Sequence, residues 1–152
     1  MDSAALRALQ APIKERYKAD PKAGLITLKA KGAVDEANIA CKVETARALA
    51  IAGLHPATGG SGIELCSGDM LLEALVACAG VTLKAVATAI DVPLKSATVS
   101  AEGDLDFRGT LAVDKQTLVG FQQVRVCVTL DTPSTREQLE APRRLTERYC
   151  VI

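Results

Sequence analysis

One segment, residues 69–90, constrains the fold more than any other because apolar side chains cover almost its whole circumference. Apolar residues recur there at helical spacing, and beyond Asp69 only Glu73 and Lys84 are charged. Ser67 or Asp69 can cap the first turn. A helix that is hydrophobic all round is buried, so this helix is predicted to form the centre of the fold.

Shorter patterns on both sides of the central helix predict the remaining elements. Helical periodicity and period-two alternation give an N-terminal helical arm at 1–20, strands within 24–54, a glycine-rich loop at 55–69, strands within 96–130 and a C-terminal helix at 134–150. This order predicts a single α+β domain over 1–152, with an antiparallel sheet packed around one central helix.

Three of these elements carry sharper expectations. The N-terminal strands are predicted to break near Ala46. The valines of 124–128 alternate with polar residues and are expected on one face of a strand. Ser134 and Glu137 have the spacing of a capping box at the start of the last helix, which Pro142 should kink or split.

Charge and composition exclude several classes of partner. Lysine plus arginine equals aspartate plus glutamate at 18 each, and no long basic run is present, so we expect no nucleic acid partner. The N-terminus lacks the pattern of a signal peptide, and no segment reaches a run of about 18 apolar residues. We therefore expect a cytoplasmic protein that does not bind membranes.

The five cysteines do not form a recognisable disulfide or metal framework. They are scattered, no CxxC pair occurs, and the chain has one histidine, so neither a metal site nor a bound cofactor is expected. Cys41 and Cys127 lie in predicted strands and are interpreted as packing residues, and Cys66 lies in the glycine-rich loop. Cys78 and Cys150 remain as candidates for a chemical role.

The pattern alone leaves the role of Cys78 open. Its helical neighbours are apolar, and a buried free cysteine usually behaves as a small hydrophobic residue. A reactive thiol instead needs a cation, a helix N-terminus or a hydrogen-bond donor to lower its pKa. Cys150 follows a segment with three arginines, RRLTERYC, which could favour a thiolate.

Two motifs together resemble the OsmC/Ohr superfamily of osmotically induced and organic hydroperoxide resistance proteins, in its OsmC-like branch. DMLLEALVACAGVTL (69–83) is similar to the family's helix with a peroxidatic cysteine, and RRLTERYCVI (143–152) to its second motif with a resolving cysteine. The glycines of 59–62 resemble the family's approach loop. The resemblance covers about residues 24–152, and the two cysteines stand 72 positions apart.

The resemblance implies a fold and an activity. The fold is an intertwined homodimer with antiparallel sheets wrapped around buried central helices. The activity is thiol-dependent reduction of organic hydroperoxides, in which Cys78 is oxidised to a sulfenic acid and Cys150 resolves it to a disulfide. A dithiol or a lipoylated protein would then reduce the disulfide, so no bound cofactor is needed.

The resemblance also points to supporting residues. Asp69 stands near the family's glutamate, which positions an arginine against the thiolate. No arginine occurs between Ala48 and Lys84, so Arg47 is the nearest upstream candidate, and His55 is a second candidate for a polar partner.

Two other interpretations remain open at the level of sequence. The chain could be a non-catalytic OsmC-like dimer that binds a small lipophilic ligand at the subunit interface, or an unrelated α+β fold in which both cysteines are structural.

Overall fold

The computed structural model describes residues 2–20, 31–34, 40–44, 49–112 and 114–152. Within these residues, four helices and six strands follow one another, with a 3-10 turn at Pro56–Thr58. In chain order they are α1 (Ser3–Ala19), β1 (Lys31–Val34), β2 (Ala40–Glu44), β3 (Leu49–Gly53), β4 (Leu65–Cys66), α2 (Ser67–Ala89), β5 (Ser96–Leu105), α3 (Phe107–Thr110), β6 (Phe121–Asp131) and α4 (Glu140–Tyr149). The predicted α+β class is confirmed.

The contacts within the chain divide it into two compact units. The first unit contains Met1–Leu28, Val76–Ser100 and Cys127–Ile152, and the second contains Lys29–Leu75 and Ala101–Val126. The helix α2 and the strands β5 and β6 each contribute residues to both units.

In the first unit, α1 is tied to the C-terminal end of α2. One guanidinium nitrogen of Arg7 donates to the backbone oxygen of Ala89 at 3.3 Å and contacts the Asp91 carboxylate at 3.1 Å. The last carbonyls of a helix lack partners within the helix and carry partial negative charge, so an arginine there is favourable.

The central helix α2 is long and apolar, but only one stripe of it is buried. Ala79, Leu83 and Ala87, spaced four residues apart, are its buried residues, whereas Val81 on another face is 71% exposed. One copy of the chain, in its described part, therefore does not enclose this helix as the sequence predicted. The helix begins at Ser67, two residues before the predicted start.

By length and mean hydropathy alone, α2 could cross a membrane, although the sequence contains no uninterrupted run of about 18 apolar residues. An 18-residue window within it reaches a mean hydropathy of 1.8. The core helices of soluble proteins meet the same criterion, so this finding is weak evidence for a span.

The second unit contains a four-stranded sheet in the order β1-β2-β3-β4. β1 pairs antiparallel with β2, and β2 with β3, whereas the short β4 runs parallel to β3 with Gly53 opposite Cys66. Residues 24–30 of the predicted N-terminal strands and the predicted break near Ala46 lie outside the described residues.

A second sheet is formed by β5 and β6, and one of its strands exposes an apolar face. The valines at 124, 126 and 128 alternate as predicted, yet each is between 41% and 44% exposed. Arg125, on the other face of β6, pairs with Asp104 and Glu102 on β5.

The last helix is shorter than the sequence predicted. α4 begins at Glu140, not at 134, and turns precede it. A capping-box exchange does occur there, but one residue later than expected: the Thr135 amide donates to the Gln138 side chain at 2.8 Å, and the Gln138 amide to the Thr135 hydroxyl at 3.3 Å. Pro142 neither kinks nor splits the helix, because it lies in the first turn, where a missing N–H costs nothing.

Candidate functional site

Two thiols meet in the first unit. The sulfur of Cys78, in the middle of α2, lies 3.2 Å from the sulfur of Cys150, which directly follows α4. Both cysteines are half-buried, and both are free thiols. The Cys150 amide closes the last turn of α4 by donating to the Thr146 oxygen at 2.9 Å, and its extended backbone carries the chain onward beside α2.

The two thiols differ in acidity. The pKa of Cys78 lies below its usual value, chiefly because the Cys150 thiol donates a hydrogen bond to it. The Val151 amide lowers this pKa further, burial raises it, and the Thr82 hydroxyl and the Ile152 amide lower it by smaller amounts. Cys78 is therefore the thiol that ionises first.

The pKa of Cys150 moves in the opposite direction. The Ile152 amide lowers it, but the hydrogen bond to Cys78, burial and the charge of the Cys78 thiolate together raise it above its usual value. Two sulfurs this close cannot both be ionised without strong repulsion, so loss of the proton from Cys78 disfavours loss of the proton from Cys150.

This arrangement suits two-step thiol chemistry. A thiolate at Cys78 is the nucleophile, and a protonated thiol in contact with it stands ready to react with an oxidised sulfur. The contact is compatible with a disulfide after a small movement, because a covalent S–S bond is about 2.0 Å long.

Two of the three predicted supporting residues lie in the second unit. His55 and Asp69 line a cavity in the second unit together with Cys66. Arg47 and the side chain of Cys41 lie outside the described residues. Among the described residues, no group of three or more His, Cys, Asp or Glu side chains could hold a metal ion.

Two of the three arginines in the second motif have other partners. Arg143 forms ion pairs with Glu140 and Glu147 within α4. Arg148 lies over the ring of Tyr149, 5.7 Å from its centroid. The main causes of the low Cys78 pKa are thus hydrogen bonds rather than a guanidinium.

Sequence reasoning missed the donors to Cys78. Thr82 follows Cys78 by four residues, which places both side chains on one helix face, so its spacing could have identified it. The amides of Val151 and Ile152 carry no such signal, because their position depends on how the chain turns after α4.

A comparison with models of protein families shows to which family this chain belongs. Residues 59–152, more than half of the chain, match the model of the family described as OsmC-like protein. The chain belongs to the OsmC-like family. The predicted family is therefore confirmed, and both cysteines lie within the matched residues.

Solved structures agree in fold. The chain is similar to an OsmC-like protein from Mycoplasma pneumoniae, with a TM-score of 0.68 and 11% identity over 83% of this chain and 84% of that one. A hypothetical protein from Aquifex aeolicus gives a TM-score of 0.62 and 13% identity, covering 84% of each chain. An OsmC-like protein of unknown function from Vibrio cholerae gives 0.58 and 20%, covering 84% and 87%. No curated protein matches the chain.

Proposed function

We propose that this OsmC-like protein reduces organic hydroperoxides with Cys78 as the peroxidatic residue and Cys150 as the resolving residue. The observation that carries the proposal is the 3.2 Å contact between the two sulfurs. The opposite pKa shifts support the same assignment of roles, because the attacking sulfur must be a thiolate and its partner a thiol.

The reaction proceeds in two steps. The Cys78 thiolate attacks the terminal hydroxyl oxygen of the hydroperoxide, and the O–O bond breaks. The sulfur is oxidised to a sulfenic acid, and the oxygen that bears the organic group leaves as an alkoxide, which becomes an alcohol after protonation. The Cys150 sulfur then attacks the sulfenic acid sulfur, which forms the disulfide and releases water. An external dithiol returns both cysteines to thiols by disulfide exchange.

The hydrogen bonds at Cys78 also support the first step. Among the described residues, the Val151 and Ile152 amides and the Thr82 hydroxyl favour the thiolate over the thiol. Leu71 and Leu75 lie about two turns and one turn before Cys78 on the same face of α2. Their apolar side chains favour an organic hydroperoxide over hydrogen peroxide as the substrate.

A second copy of this chain is the proposed partner. Ala74, Ala77 and Val81 form an exposed, small and apolar stripe on α2. Such a stripe allows close helix packing, and a second copy placed there would cover the face that one chain leaves exposed.

Consumption of tert-butyl or cumene hydroperoxide with dithiothreitol tests the proposed activity. We expect catalytic turnover for the wild-type protein and none for Cys78→Ser. Cys150→Ser should retain the first oxidation and accumulate a sulfenic acid that dimedone traps. Cys127→Ser, which removes an exposed thiol on β6, is the matched control and should behave as wild type. Unchanged turnover in Cys78→Ser, or none in the wild type, would refute the proposal.

A further inference from the structure

A cavity in the second unit collects most of the aromatic side chains of the chain. It has a volume of about 370 Å³, within the range of small-molecule sites. The sequence contains two phenylalanines, two tyrosines, one histidine and no tryptophan, and three of these five rings line this one cavity: His55, Phe107 and Phe121. His55 stacks on Phe107 with ring centroids 5.0 Å apart. A chain with so few rings presents a clustered aromatic surface here.

The polar groups of the cavity give it negative character. Asp69 lines it, and the carboxylate has no hydrogen-bonding or ion-pair partner among the described residues. Asp104 also lines it but is neutralised by Arg125, whose guanidinium donates to its carboxylate at 2.8 Å. No described lining residue is a lysine or an arginine. The uncompensated charge of the cavity is therefore that of Asp69.

The imidazole of His55 is held in a fixed orientation. Its Nδ1 accepts a hydrogen bond from the Ala57 amide at 3.0 Å, so the neutral ring carries its proton on Nε2. This hydrogen bond and the stacking on Phe107 hold the His55 ring in place. Ligand binding therefore costs little conformational entropy for ordering this side chain.

One glycine leaves room for the Phe121 ring. A Cβ at Gly103 would clash with Cε1 and Cδ1 of Phe121. A Cβ at Gly68 would make only ordinary van der Waals contact with Phe121, Cys66 and Leu105, at 3.6–3.7 Å. The absence of a side chain at Gly103 therefore allows Phe121 to occupy its place in the lining.

We propose that this cavity binds a small organic ammonium ion. The positive charge would lie near the Asp69 carboxylate, and the alkyl groups would contact the rings of Phe107 and Phe121, which line the cavity. Aromatic faces attract cations through their quadrupole, and rings combined with one carboxylate are the usual chemistry for substituted ammonium groups. An anionic ligand would meet the Asp69 carboxylate and no lysine or arginine among the described lining residues, and a neutral ligand would gain no charge interaction with this solvent-exposed carboxylate.

Choline and its neutral isostere 3,3-dimethyl-1-butanol are the probes, because they differ in charge and hardly in shape. The chain has a single histidine, so one imidazole Cε1–H signal in the proton NMR spectrum reports on the cavity without assignment. We expect saturable shifts of this signal with choline, and binding about tenfold weaker for the alcohol.

Two variants test the contacts. Asp69→Asn should weaken choline binding by up to about fivefold, as expected for a solvent-accessible charge pair. Phe121→Leu should weaken it by about two- to fivefold through loss of the ring face. Asp131→Asn makes the same charge change outside the cavity and should bind as wild type. Far-UV circular dichroism confirms that each variant folds.

The proposal is overturned if choline and the alcohol shift the histidine signal equally, or if choline gives no saturable shift in folded wild-type protein. Unchanged choline affinity in both folded cavity variants would also overturn it. None of these outcomes depends on the reaction of Cys78 with peroxides.

Discussion

The contact between Cys78 and Cys150 predicts a large change in stability when the two thiols are joined. A disulfide between them would close a loop of 72 residues. In the chain-entropy treatment, restricting the unfolded chain by a loop of this length raises the free energy of unfolding by about 4.4 kcal/mol at 25 °C. Because the sulfurs are already in contact in the folded state, little strain should be subtracted from this value.

Urea unfolding followed by far-UV circular dichroism measures the change; the chain has no tryptophan for fluorescence. One sample is kept reduced, and the other is oxidised with diamide, which joins thiols without peroxide chemistry. With an m value of about 2 kcal/mol per M, the midpoint of the oxidised sample should lie about 2 M higher in urea. Protein concentration is held equal, because self-association also shifts midpoints.

Cysteine variants identify the bond that causes the shift. Cys150→Ser should abolish it, whereas Cys127→Ser should retain it. The reasoning is refuted if diamide consumes two thiols per chain and the midpoint does not move. A shift that persists in Cys150→Ser would assign the stabilisation to another pair of cysteines.

Three further predictions follow from individual contacts. In the reduced protein, the rate of alkylation by iodoacetamide, followed by mass spectrometry as a function of pH, should have its midpoint below the ordinary cysteine pKa for Cys78 and above it for Cys150, because the hydrogen bond between the two sulfurs favours the Cys78 thiolate. Identical pH profiles for the two cysteines would contradict this. Gly103→Ala should lower the free energy of unfolding by about 1–3 kcal/mol, because the new Cβ displaces the Phe121 ring; wild-type stability in urea would argue against that clash. Thr135→Ala should cost about 1 kcal/mol by removing the cap before the last helix, and an unchanged urea midpoint would show that the cap contributes nothing.

The sequence was sufficient to predict the features that depend on local periodicity. The central helix, the alternation of β6 and the α+β class all follow from spacing of apolar residues, and the motifs around Cys78 and Cys150 indicated the family. The contact between these two sulfurs depends on how α4 returns to α2, and only the resemblance to a family suggested it.

The features that were missed depend on competition between neighbouring residues or on distant contacts. Ser134 satisfies the capping pattern as well as Thr135 does, and local spacing cannot choose between adjacent candidates. Burial of α2 on all faces was expected from its composition, but composition does not say whether one chain or two must cover those faces. The cavity joins His55 to Phe121, which are 66 positions apart in sequence, and no periodicity connects them.

The most direct test of the proposed activity is a reaction of the fully reduced protein with one equivalent of cumene hydroperoxide, followed by proteolysis and mass mapping without reductant. The account predicts one equivalent of cumyl alcohol and a disulfide that joins Cys78 to Cys150. Recovery of both cysteines as free thiols, or a disulfide that excludes Cys78, would contradict it.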